Sequence, residues 1–145
     1  MKKYFPFFLL LSLIFCFSCK KTIENISQST FEKYFDKYVI GSNFKVTLAK
    51  DGTTDFTSEY EDYNFILLKT DFHHGPLKAT NGTSENTGTW STNDDYSKLI
   101  ITLPDSIAKF KFLNRSWRFT KKEVPTLQLA PWGSDDPITL YMTRQ

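Results

Sequence analysis

The sequence predicts an all-β domain: one antiparallel sheet of eight short strands, closed as a barrel or stacked as a sandwich, behind a single N-terminal amphipathic helix. Three observations carry this. From Phe44 onward apolar residues recur with period two, the signature of strands buried on one face. The links between the alternating runs have hairpin length, and two of them hold the turn dipeptides Asp51-Gly52 and Asn81-Gly82. After the first helix no second one is long enough for a crossover, which excludes a parallel βαβ sheet.

Each element follows from its residues. Ser29-Thr30-Phe31-Glu32 has the capping-box pattern, a hydroxyl with a carboxylate three residues later. Phe31, Tyr34, Phe35, Tyr38 and Val39 then recur at helical spacing, and Gly41 supplies a stop. This aromatic stripe is expected to pack on the domain, because five exposed large apolar groups promote aggregation. In the first strand Phe44, Val46 and Leu48 alternate with Lys45, Thr47 and Ala49. Residues 53–61 are polar and irregular, a loop or one helical turn. Further strands are expected at 63–69, 77–80, 87–90, 99–103, 115–121, 126–130 and 138–143, with 105–111 ambiguous after Pro104. Gly88, inside a strand, marks a bulge or a close approach of backbones.

The amino terminus reads as an address. Lys2 and Lys3 precede an apolar run from Tyr4 to Phe17, interrupted by Ser12. At about 14 residues the run is shorter than the ~20 a membrane-crossing helix needs, and its layout is that of a secretory signal. Lys2 and Lys3 are the only charged residues among the first eighteen, so the remainder carries 16 basic and 16 acidic groups. A neutral body excludes a polybasic nucleic-acid binder, whose affinity rests on many cationic phosphate contacts. Eighteen of the 24 aromatic residues remain in that body, too many for a disordered chain. The only cysteines are Cys16 and Cys19, so the body has no internal disulfide and no thiolate nucleophile.

Ser18-Cys19, at the end of the apolar run, resembles the lipobox of bacterial lipoproteins, with Cys16 where an aliphatic residue usually stands. The resemblance implies residues 1–18 as a signal peptide, Cys19 as the lipidated new amino terminus, and 19–28 as a tether to the outer membrane. Nine tether residues, Lys20 to Gln28, reach at most ~30 Å. Two acyl chains make a stable anchor where one is marginal. The order of motifs over residues 29–145 resembles the lipocalin-like domains of small Bacteroidota lipoproteins. The carrying stretches are Phe44-Lys45-Val46, Asp51-Gly52, residues 57–65, Gly88-Thr89-Trp90, Leu99-Ile100-Ile101, Trp117-Arg118-Phe119 and Ile138-Thr139-Leu140. Phe44 stands at a usual Trp position, and residues 110–114 are bulkier than a typical connection. This resemblance implies the eight-stranded barrel rather than the sandwich, and closure would leave no unpaired edge.

Phe44, Phe65, Trp90, Trp117 and Phe119 are the candidate inward rings. They would either fill the lumen or surround a small hydrophobic ligand. The expected function is accordingly a noncatalytic, membrane-anchored lipoprotein binding a small apolar ligand, the alternative being a structural or protein-interaction lipoprotein with a filled core. No cofactor, metal or nucleic acid is expected. His73-His74 reads as solvated loop histidines, since adjacent side chains on an extended segment diverge and zinc-type spacing is missing. Asp94-Asp95, Asp135-Asp136 and Asp51 with Asp55 read as turn formers rather than catalytic or calcium-binding carboxylates. Trp132, in a Pro-Trp-Gly loop, is expected to cap an open barrel end or to meet a partner. Asp105-Ser106-Ile107 is similar to the O-glycosylation acceptor motif of Bacteroidota, which implies a modified Ser106.

Overall fold

The computed structural model describes residues 30–145. The expected signal peptide, Cys19, its tether and the Ser29 end of the capping box lie outside the described residues. Helix α1 spans residues 30–38. Nine strands follow: β1 (Asn43–Asp51), β2 (Thr54–Asp55), β3 (Tyr63–Leu67), β4 (His74–Asn81), β5 (Ser84–Thr92), β6 (Lys98–Thr102), β7 (Ser116–Lys121), β8 (Thr126–Pro131) and β9 (Ile138–Arg144). Eight of them form the wall in chain order, all antiparallel, and β9 closes on β1 from Phe44↔Arg144 to Asp51↔Ile138. The two-residue β2 folds back on β1 alone. Closure excludes the sandwich, because every stave has a neighbour on both sides.

Two local departures have plain causes. The pairing of β1 with β9 shifts between Val46 and Leu48, so Thr47 is an extra residue on the β1 side. A bulge reverses the inward phase, and Ala49 rather than Leu48 is buried. Strand β5 begins at Ser84, three residues before the hydropathy suggests. Ser84, Glu85 and Asn86 are polar but pair with Asn81, Thr80 and Ala79 across the Asn81-Gly82 turn, where Gly82 takes a positive φ of 58°.

All strands run between the same two poles. At one, α1 lies over the lumen and buries Phe35, with Val39 buried in the turn that follows it. Tyr34 fastens it to the β7–β8 turn, donating to Lys122 O (2.6 Å) and accepting from Val124 N–H (2.9 Å). At the other pole two short 3-10 turns, Thr57–Tyr60 and Ala108–Lys111, bring in Tyr60, Phe110, Phe112 and Leu113, all buried. Residues 105–111, ambiguous in sequence, thus supply part of a lid. Asn114 holds that lid in place by imitating a strand: Leu103 N–H donates to its Oδ1 (2.6 Å), and its Nδ2 donates to Leu103 O (2.8 Å).

Candidate functional site

Four of the five expected inward rings are fully inside. Phe44, Phe65, Trp90 and Trp117 are at most 1% exposed. They do not converge on one space. Phe44 and Phe65 face each other across the β1–β3 seam, and Phe65 stacks on Tyr63 at 6.0 Å. Trp90 sits at the helix pole, 5.6 Å from Phe35, with its indole N–H donating to Leu68 O (2.7 Å). Trp117 sits at the opposite pole, 5.8 Å from Phe112, with its N–H donating to Leu113 O (3.0 Å). Phe119 is only half-buried and meets Phe35 edge-on at 6.3 Å beneath α1.

A ring lining a water-sized void retains accessible surface, and these four have essentially none. The hollow under α1, between Phe31, Phe35, Phe119 and Leu127, measures about 10 Å³, room for one water at most. No charged or polar residue is buried among the described residues, tyrosine apart. The lumen is therefore a packed apolar core. Two of its three tyrosines are tied to backbone through their hydroxyls: Tyr60 donates to Lys109 O (2.6 Å) and Tyr96 to Phe72 O (2.6 Å). Burial pushes both hydroxyls above the usual tyrosine range, Tyr96 to about 12.

The polar candidates fall where turns need them. Asp55 accepts from Thr57, Asp95 from Ser97, and Asp71 from the backbone N–H groups of His73 and His74. Those hydrogen bonds, largest among the causes, lower all three carboxyls. His74 is exposed, with Nδ1 2.8 Å from Asp71 Oδ2. His73 departs from the solvated expectation: it is half-buried, its ring 5.3 Å from Tyr96 and its Nδ1 without a partner. Among the described residues no three of His, Cys, Asp and Glu cluster as a metal site would require. Ser106 is exposed, beside an Asp105 carboxylate that accepts from Asn114 (2.9 Å).

Trp132 does not cap the barrel. It is 42% exposed on the outer wall, under the Lys98 ammonium at 5.4 Å, and the nearby pole is closed by residues 108–113 instead. The sequence reading missed two surface features. One is an open saddle of about 520 Å³ over β4 and β5, lined by Thr70, His74, Pro76, Thr87 and Thr89. The other is an open hollow of about 380 Å³ at the 3-10 pole, lined by Phe56, Phe112, Lys109, Lys111 and Arg115. Neither has a sequence motif: the saddle is the outer face of one hairpin with small polar residues, and the hollow joins residues 51–59 to 108–115, which meet only in the closed barrel. Comparison with family models, with curated proteins and with solved structures finds no match to this chain.

Proposed function

We propose that this chain is a noncatalytic envelope lipoprotein, tethered to the outer membrane through a lipid on Cys19, whose barrel is a solid module for structural or protein contacts. The packed lumen supports this reading over a carrier of a small apolar ligand. A guest inside the barrel would have to displace rings that already fill the space, and losing such contacts costs several kcal/mol, about 3–5 for a buried Phe or Trp truncated to Ala. The partner surface is then the outer wall, where Trp132 is the largest exposed ring. Ser106 is the proposed site of glycan attachment.

Titration with an uncharged hydrophobic fluorophore separates the two readings. A solid barrel gives no saturable uptake and unchanged emission from Trp90 and Trp117. One-to-one binding with shifted tryptophan emission would restore the ligand carrier. The anchor has its own test: a radiolabelled fatty acid should enter the chain in a Gram-negative host, persist in Cys16→Ala and vanish in Cys19→Ala. Label retained in Cys19→Ala would remove the tether.

A further inference from the structure

The hollow at the 3-10 pole holds a cation that the fold leaves unanswered. Arg115 stands just before β7, its guanidinium carbon 5.0 Å from the Phe112 ring centre and 5.2 Å from that of Trp117. Two aromatic faces hold the planar group by cation–π contact, so it is pre-positioned rather than swinging free. Every ion pair among the described residues is made by other side chains. Arg115 Nε is buried and has no hydrogen-bond partner. Nε itself is closed even to water, so only the outer Nη edge of the fork is left for an anion, and no carboxylate of the described residues forms an ion pair with it.

The surroundings define what would complete it. Lys109 and Lys111 line the same hollow, and Phe56 packs on Phe112 at 5.2 Å to give it an apolar floor. Lys109 Nζ also lies 3.4 Å from Glu59 O and 5.0 Å over the Tyr63 ring. Two carboxylates, Asp51 and Glu59, share the rim, so the hollow carries three positive charges against two negative. That balance disfavours a long polyanion and suits one compact anionic group.

We propose that this hollow binds a small organic oxyanion, a carboxylate or phosphate monoester carrying a flat apolar group. The anionic end is received by the Arg115 fork, flanked by Lys109 and Lys111. The apolar end rests on Phe56 and Phe112. A planar guanidinium matches the two oxygens of such a group, which an ammonium cannot do. The site lies outside the packed lumen and needs neither the tether nor an opening of the barrel.

Trp117 is a built-in reporter, since its ring touches the same guanidinium. The full-length chain in detergent is titrated with phenyl phosphate, benzoate and uncharged phenol while tryptophan emission is followed. The expected result is saturable binding of at least one aryl anion and none of phenol. Arg115→Gln should weaken that binding about tenfold or more, and Lys111→Gln about threefold. Thermal midpoints establish that each variant is folded. If Arg115→Gln unfolds, Arg115→Lys keeps the charge, loses the fork, and should still weaken binding. A response that is linear and equal for all salts, equal binding of phenol, or saturable binding undiminished in the folded Arg115 variant would overturn the proposal.

Discussion

Gly88 and Gly75 sit where a neighbouring stretch of backbone passes close. A Cβ on Gly88 would lie 2.0 Å from Thr102 O, and one on Gly75 would lie 2.0 Å from Leu68 O. Both obstacles are backbone carbonyls, which cannot swing aside as a side chain can. Gly88→Ala and Gly75→Ala should therefore each destabilise the fold by about 1–3 kcal/mol or more, read as a lowered urea midpoint. The close approach at Gly88 was legible in sequence as an isolated strand glycine. At Gly75 the same signal was lost beside His73-His74, which read as loop residues. Tyr96 carries a different prediction. Burial, with the nearby charges of Glu32, Asp36 and Asp71, raises its hydroxyl from 10.0 to about 12. The folded state favours the neutral phenol, while the unfolded chain ionises near the ordinary value. Its stabilising contribution is thus complete below pH 10 and is lost as pH rises toward 12. Thermal midpoints measured from pH 9 to 12 should fall, and Tyr96→Phe, which has nothing to ionise, should lessen that fall, the remainder coming from Tyr60, whose hydroxyl burial also raises.

Helix α1 illustrates how one element was read correctly in kind but only partly in consequence. Its stripe packs as expected at Phe35 and Val39, while Phe31 at its start remains exposed with Lys122 Nζ 4.5 Å above the ring. Phe35 meets Trp90, Tyr96 and Phe119 and so plugs the lumen from above. Phe35→Ala should cost about 3–5 kcal/mol by calorimetry or denaturant. Phe31→Ala should stay within about 0.5 kcal/mol, as surface changes usually do. The lid at the other pole was not legible. Residues 108–113 have neither a helical nor a strand period, since a 3-10 turn that inserts Phe110 and Leu113 into a barrel mouth is dictated by the mouth. Strand β1 gave a wrong phase after Thr47 for a related reason. A bulge is a compromise between pairing partners, and only the register with β9 reveals it.

The closed wall is uneven. Strands β4 and β5 share eight residue pairs, whereas β1 and β3 share only Asn43↔Ile66 and Phe44↔Phe65. Beyond Phe44 the gap between β1 and β3 is filled by the first 3-10 turn: Phe56 N–H donates to Ala49 O (2.8 Å), Ala49 N–H to Thr57 Oγ1 (3.0 Å), and Tyr60 is fully buried. Opening should begin at this seam. Native-state hydrogen exchange is expected to show β1 and β3 amides along it exchanging faster than those between β4 and β5; uniform protection around the wall would refute this.

Residue order alone specifies the kind of structure: eight antiparallel staves, a helix before them, hairpins at Asp51-Gly52 and Asn81-Gly82, and four buried rings. Period, turn chemistry and hydrophobicity are local properties, so they can be read along the chain. It takes the closed barrel to show that the rings fill the lumen instead of surrounding a space, that Trp132 lies outside, and that Arg115 meets Lys109, Lys111 and two aromatic faces in one hollow. Those outcomes depend on volume and on distances between segments far apart in the chain, which close packing settles and no single stretch of residues encodes.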